Sequence, residues 1–561
     1  MNILGLHLGH DACAALLVNG EIRADVAEER FSRVKHQHGV PWQSVRYCLE
    51  AGEIEMTDVD VVAIATNNPV PDLDHLFRWK NGVQQKHWMI RVQDAVKRWK
   101  GYPLRGTPLY FESHDVSDDL EVDHVEHHLA HAASAYFTSG SDAHQLVATI
   151  DGQGDGFSTC IWRGQSGTLE PLLKLGEESS IGIFYGIVTE ALGWWHGDGE
   201  GKTMGLAPYG DESKVKDVLE AYHPKFEAGE LVEPCNFGQL YQWDRSGAIH
   251  HHYEFADEIR KIVEKHGREH LAAEAQRVLE QQIFNVVFPW MEKEKTRNLS
   301  CAGGLFLNVK LNQRIWESGK VDQHHIFPNA GDSGLAIGAA LHAWRKRRPD
   351  APNLKLEQLY FGPEFSNEEI EDVLKARNLN YRRMEDTETE VAQRLANDQI
   401  VGWFQGRMES GPRALGNRSI LMSANRAENK DIINARVKFR EGFRPFCPSL
   451  HWEKRDEYLE NSRDEHFMIT SFTCPKAKRD RVPAVVHADH TLRPQTVKKS
   501  ANPRYWRLID EFGQRTGEHL LLNTSLNIMG EPMITRPEDA IRCLYGSGLD
   551  CLAIGDFLLE K

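Results

Sequence analysis

Residues 123–156 read DHVEHHLAHAASAYFTSGSDAHQLVATIDGQGDG. Four histidines, His124, His127, His128 and His131, precede and enter a run of small residues at 132–135 that predicts a helix. Two pairs are spaced i,i+4: His124 with His128, and His127 with His131. On a helix each pair shares one face, which is how two imidazoles reach one metal ion. Spacing does not choose between the pairs. The apolar run at 146–150 predicts a buried strand that ends at Asp151, before a Gly-rich turn at 152–156. A carboxylate there can reach a metal or a metal-bound phosphate. A surface helix followed by an ordinary hairpin would satisfy the same letters.

Other residues invite the same weighing. His10 stands in the turn Gly9-His10-Asp11, where an imidazole can take a proton from a substrate hydroxyl or simply be solvated. The stretch HGDGEGKTMGLAPYG at 196–210 looks like a phosphate loop, but His196 occupies the place where a Walker A loop needs glycine. It reads as a flexible loop in which Lys202 meets phosphate or lies on the surface. Gly303 and Gly304 let a backbone approach a ligand closely, and Asn308 is expected one turn into the helix that follows. Asp332 is either the cap of the helix from Leu335 or a ligand facing Asp151 across a cleft.

Residues 407–444 hold nine Lys/Arg against four Asp/Glu, in a chain of net charge −16. Arg413 sits in the Gly/Pro-framed turn GPRALG, and guanidinium groups on rigid turns suit phosphate. The aromatics there do not interleave as a base-stacking platform, which favours a small polyanion such as ATP over nucleic acid. Arg493 precedes a proline, and Asn523 and Ser525 follow the apolar run at 520–522, a polar turn at a strand end.

The elements that must position these groups are regular. Strands are predicted at 2–8, 12–18 and 21–27, with a hairpin at Asn19-Gly20 and a helix from near Pro41. Residues 146–175 repeat that strand-turn-strand-turn-strand plan. A duplicated α/β domain with a cleft between its halves is expected. The plan is similar to the actin/sugar-kinase/Hsp70 ATPase fold. Residues 256–291 read as long helix. The charged, Pro-interrupted stretch RRPDAPNL at 347–354 predicts a boundary, giving domains 1–352 and 353–561, and Ser366 with Glu369 forms a capping box just beyond it.

The chain of 561 residues has room for several domains. Its acidity argues against a general nucleic-acid partner. Nine cysteines without a CxxC pair fit a reducing cytoplasm, not a disulfide framework or zinc finger. No apolar run reaches the ~20 residues that span a bilayer, and the N-terminus lacks a basic leader.

Taken together, GLHLGHDACAALL, EERFSRVKH, HHLAHAASAY, DGQGDG, GEGKTMGLAPYG, CAGGLFLN, NAGDSGLAIGAAL, GRMESGPRALGNRSIL, VKFREGFRPF and LNTSLNIMGEP resemble the O-carbamoyltransferases of the nodulation and cephamycin type, including enzymes acting on aminoglycosides. The resemblance spans nearly the whole chain in order. It implies an ASKHA-type first domain, similar to the tRNA threonylcarbamoyl transferase, and a YrdC-like α+β second domain. It implies that His127, His131, Asp151 and Asp332 bind a metal, Fe(II) first with manganese or zinc as alternatives. His10 and Lys35 would stand near the carbamoyl group and acceptor. Lys202, Gly303, Gly304 and Asn308 would meet nucleotide in the first domain. Arg413, Lys438, Arg444, Arg493, Asn523 and Ser525 would hold ATP, with magnesium, and carbamoyl phosphate in the second. Cys13 departs from the serine frequent in the family's first turn. The implied activity is ATP-dependent O-carbamoylation of a small-molecule hydroxyl, as in antibiotic biosynthesis, by a cytoplasmic enzyme expected to be a homodimer. A tRNA threonylcarbamoylation enzyme and a non-catalytic ATP-binding regulator are the rival readings. The acceptor pocket is expected around residues 67–104.

Overall fold

The computed structural model describes residues 1–68, 77–79, 114–117, 119–245 and 248–561. Most of the expected acceptor segment, 69–76 and 80–104, lies outside them. The first sheet begins as the sequence predicts, with β1 (Asn2–His7), β2 (Cys13–Val18) and β3 (Glu21–Ala27) joined by tight turns. β4 (Val61–Ile64) and β5 (Glu121–His124) extend it parallel to β1, in the order β3-β2-β1-β4-β5. A second sheet comprises β6 (Gln145–Gly154), β7 (Phe157–Gln165), β8 (Thr168–Leu175), β9 (Asn298–Ala302) and β10 (Gln323–Ile326). Its order is β8-β7-β6-β9-β10, with the same two antiparallel and two parallel pairings. The two sheets are therefore one plan built twice in a mixed α/β fold.

Between the sheets lie two helices of small residues, α1 (His127–Phe137) and α2 (Leu335–Arg347). Ala130, Ala132, Ala133 and Ala135 share a buried cluster with Ala336, Ala339 and Ala340. Short side chains let these backbones approach, which brings the histidines of α1 beside the turn that starts α2.

Residues 382–560 form an eight-stranded mixed sheet. At its centre are β11 (Val401–Phe404), β12 (Arg418–Ser423), β13 (Cys447–His451) and β14 (Leu520–Ser525), with β12 between β11 and β14, and β13 beyond β14. The predicted capping box at Ser366 and Glu369 is present and opens the helix Asn367–Ala376. Buried contacts tie this part to the first sheet. Arg30 donates to Gly411 O at 2.7 Å, Arg33 donates to Met533 O and Pro532 O at 2.7 and 2.6 Å, and Asp25 meets Ser410. Burial pushes the Asp25 carboxyl up to about 7.

Several elements depart from expectation. His124 is held extended by pairing with Ile64, so helix α1 starts only at His127, capped by Glu126, which accepts from the His128 and Leu129 amides. β6 runs past Ile150 through an irregular stretch to Gly154, which puts Asp151 inside the strand and the turn at Asp155-Gly156. The expected loop around Lys202 is helix over Glu200–Leu206, because Met204 and Leu206 bury. The long helical segment breaks at Gly267 into Glu254–His266 and Arg268–Glu294. Asn308 caps the helix Val309–Glu317 instead of lying within it. Asn523 and Ser525 belong to β14, not to a turn.

The seam between α1 and α2 is closely packed: a Cβ at Gly338 would lie 2.0 Å from Ala130 O. Ala339→Leu is expected to cost about 1–3 kcal/mol by overpacking. Chemical denaturation monitored by far-UV circular dichroism measures the loss.

Candidate metal centre and cationic cluster

His127 and His131 sit one helical turn apart on α1 and face two carboxylates, Asp151 of β6 and Asp332 of the turn before α2. His131 Nε2 lies 3.1 Å from Asp151 Oδ2 and 3.5 Å from Asp332 Oδ1. His127 Nε2 lies 3.8 and 3.7 Å from the same two atoms. One donor atom from each of the four residues falls within 4.8 Å of all the others. These are edge lengths of a coordination shell with bonds of about 2.1 Å. Among the described residues, the buried His127 Nε2 has no hydrogen-bond partner, an arrangement that costs free energy unless something completes it. Burial opposes charge on both aspartates, yet the histidines hold both carboxyls below the usual range. Two imidazoles and two carboxylates so placed fit a divalent transition ion.

The surroundings explain how the four are held. Gly334, not Asp332, is the cap of α2, and the Asp332 carboxylate instead faces the histidines, which resolves its alternatives. Gly154 admits the His127 ring, because a Cβ there would lie 2.2 Å from it. Gly303 has φ +101° and would place a Cβ 2.2 Å from Ile150 O, so the 303–304 turn closes against the strand that carries Asp151. Asp155 accepts from the His127 amide at 2.9 Å and from Thr66 and Asn68, fixing the start of α1. His128 points away, pairing with Thr149 at 3.1 Å, and burial pushes it down to about 3. His124 is exposed and reaches Thr66 O. The choice between the two pairs therefore falls on His127 with His131.

His10 joins this group, half exposed at its edge. Its Nε2 is 3.2 Å from Asp332 Oδ2 and its Nδ1 is 3.0 Å from Asp11 Oδ2. Burial works against its charge, but Asp332 and Asp11 outweigh that and hold it up at about 9. His7 lies behind, 3.8 Å from Asp332. Lys35 stands one step away. Its Nζ meets Asp198 at 2.6 Å, while His36 bridges Asp198 and Asp11 at 3.7 and 2.8 Å. Lys202 lies 3.9 Å from Glu441. Asn308 is committed to capping Leu311 and to a buried pair with Gln276.

Of the nine basic residues at 407–444, only some converge. Arg418 is buried among backbone carbonyls of 363, 405, 406 and 417, and Arg426 and Arg436 pair with Asp398 and Asp550. Arg413, Lys438, Arg440, Arg444 and Arg493 form the cluster. Burial, then Arg493 and Arg444, push Arg413 down to about 9, and its Nε has no partner. Burial and Arg440 push Lys438 down to about 7. Arg440 falls to about 9 through burial and Arg444. Arg444 has only Glu441, at 3.9 Å, and Arg493 donates to Cys447 Sγ at 2.9 and 2.7 Å. Lys438 meets Ser525 Oγ at 3.4 Å and Asn527 Oδ1 at 2.7 Å. Asn523 donates to Ala414 O in the Arg413 turn at 3.1 Å. Cations this close, part-buried and matched only by Glu441 at their edge, call for an anion. Glu441 stands between Arg444 and Lys202, and burial lowers Arg444 against the pull of Glu441 and of Asp198, which also pairs Lys35, so these acids lie between the two centres. Asp11, His36, Asp198 and Asn527 were not singled out in the sequence, although Asp11, His36 and Asn527 stand within two residues of His10, Lys35 and Ser525 and Asp198 lies in the 196–210 stretch.

A family model described as the carbamoyltransferase N-terminus matches residues 2–341, and one described as the carbamoyltransferase C-terminus matches residues 392–561. The chain is 36% identical to nodulation protein NolNO of Sinorhizobium fredii (strain NBRC 101917 / NGR234) over 563 residues, 98% of this chain and 79% of that protein. It is 28% identical to nodulation protein U of Rhizobium tropici over 583 residues, 97% of this chain and 94% of that protein. The crystal structure of T. kodakarensis HypF, 12% identical, aligns over 62% of this chain and 48% of that one with a TM-score of 0.37, a level that carries no argument.

Replacing His131 with alanine removes one of four donors and should lower metal affinity by at least the ~10–100-fold that outer-shell changes cost. His124→Ala should leave metal content unchanged. Elemental analysis of both purified variants tests the choice of pair.

Proposed function

The chain belongs to the carbamoyltransferase family, and from that premise we propose an ATP-dependent O-carbamoyltransferase that works in two steps at two centres. The observation that carries this reading is the pairing of a part-buried, acid-poor cation cluster with a separate His2Asp2 group in one molecule. In the first step carbamoyl phosphate is hydrolysed to carbamate and phosphate. A carbamate oxygen then attacks the α-phosphorus of ATP, giving carbamoyl adenylate and releasing pyrophosphate. Arg413, Lys438, Arg440 and Arg493 neutralise phosphate charge as it redistributes in that displacement, and Asn523 holds the Arg413 turn in place. Magnesium accompanies the ATP.

In the second step the acceptor oxygen attacks the carbamoyl carbon, the bond to the AMP oxygen breaks, and the O-carbamoyl ester and AMP leave. His127, His131, Asp151 and Asp332 would hold iron(II), or manganese or zinc, and that ion would supply Lewis acidity when bound. With Asp332 engaged in holding an ion, His10 would lose part of the support for its proton and would be placed to take the hydroxyl proton. Lys35 and Lys202 stand on the side of the cation cluster and offer charge to the adenylate phosphate. In this reading the ASKHA-type half transfers, the YrdC-like half activates, and the division falls near residue 352. The acceptor is a sugar or antibiotic hydroxyl. Enzyme-class membership removes the non-catalytic regulator, and the acidic chain disfavours a tRNA acceptor. Among the described residues, no helix is long and apolar enough to cross a membrane.

Pyrophosphate release that depends on carbamoyl phosphate tests the first step. Arg413→Ala should abolish it, and full activity in that variant would remove the assignment. His131→Ala should release pyrophosphate while failing to carbamoylate any acceptor. Anion binding should also raise the Lys438 pKa from about 7. ATP binding at pH 7–9 should then take up protons, and calorimetry in buffers of different ionisation enthalpy measures that uptake.

A further inference from the structure

A second cluster of metal-ligating side chains lies in the C-terminal half, outside both centres. His451 ends β13, Asp510 lies on the helix Pro503–Thr516, and His519 occupies the turn from that helix into β14. From their geometry we infer that His451, Asp510 and His519 form a binding site for a zinc-class divalent transition ion. Their donor atoms fall within 4.8 Å of one another. His519 Nε2 is 3.5 Å from Asp510 Oδ1, and the two imidazole centroids are 5.1 Å apart.

The support around these residues has the form that metal ligands use. His451 Nε2 lies 3.0 Å from Trp506 O, a carbonyl that can only accept. That nitrogen therefore carries the proton, and Nδ1 keeps its lone pair, as when a ligating histidine donates its other N–H to a backbone carbonyl. The Trp506 ring lies flat on His451, at 4.4 Å and 6°, which fixes the imidazole plane and leaves its in-plane direction open. Gly513 makes room for the second imidazole, since a Cβ there would lie 2.3 Å from the His519 ring. The other His519 nitrogen, Nδ1, is buried without a hydrogen-bond partner among the described residues. The His451 amide donates to His519 O at 3.2 Å, so the two ligand-bearing backbones are already joined. His451 is buried while Asp510 is 29% exposed, which gives an ion a way in from solvent.

Two imidazoles and one carboxylate select zinc, cobalt, nickel or copper over magnesium or calcium, and three protein donors leave a position for water. An ion here would pin the helix to the ends of two neighbouring strands. Those strands carry Cys447, Asn523 and Ser525 further along, so the ion would stiffen the frame of the cation cluster. The site does not depend on the two-step chemistry.

The test is a Zn2+ titration of chelator-treated full-length protein against a chromophoric competitor. Wild-type protein should hold one tight equivalent more than His519→Gln and than Asp510→Asn, while His131→Ala keeps that equivalent. Asp510 is partly exposed on a helix surface, so Asp510→Asn folds even if His519→Gln does not. In the His131→Ala background, Zn2+ should raise the thermal midpoint, and adding Asp510→Asn should abolish the rise. Equal tight stoichiometry in wild-type and Asp510→Asn protein would overturn the site.

Discussion

Two carboxylates buried side by side must be matched by positive charge, and that requirement shapes the first half of the molecule. Asp151 comes from the second sheet and Asp332 from the turn that opens α2, while the imidazoles come from the helix packed between. None of these elements could hold the group alone. Each sheet copy supplies a hairpin that reaches the seam, and alanine-rich helices let the seam close. Gly154 and Gly303 are where that closure leaves no room for a Cβ.

The second half has the opposite imbalance. Lys438 is buried and Arg413 and Arg440 are part-buried. Loss of solvent pushes all three down, helped by Arg493 and Arg444 at Arg413 and Arg440 and by Arg440 and Arg444 at Lys438. The segment from Asp25 to His36 couples the two. It leaves β3, anchors the Arg413 turn through Ser410 and Gly411, grips residues 532 and 533 through Arg33, and then delivers Lys35 and His36 to Asp198 and Asp11. A shift of either half against the other would strain this strap, which suits a product of one centre that is consumed at the other.

Much of this was legible from residue types. The continuous apolar runs located the doubled hairpins, since a strand buried on both faces must be apolar on both. The i,i+4 spacing identified a metal-capable helix, but only the Ile64–His124 pairing decided which pair it carries. The loop read around Lys202 failed because Gly-rich letters there hide a helix secured by tertiary burial of Met204 and Leu206. Counting charge over 407–444 found the basic region but could not separate Arg418, spent on backbone carbonyls, from Arg413, which has nothing to spend itself on. Asp198 and the His451 cluster were invisible because their partners are distant in the chain.

The proposed activation at the cations and transfer at the imidazoles would be joined by one species, and its detection is the most direct measurement. Intact enzyme would be given ATP and 13C-carbamoyl phosphate without acceptor, quenched, and analysed by mass spectrometry. A 13C-labelled carbamoyl adenylate formed in amounts comparable to the enzyme is the predicted result. Label confined to carbamoyl phosphate and its hydrolysis products, with no adenylate at any time, would contradict it.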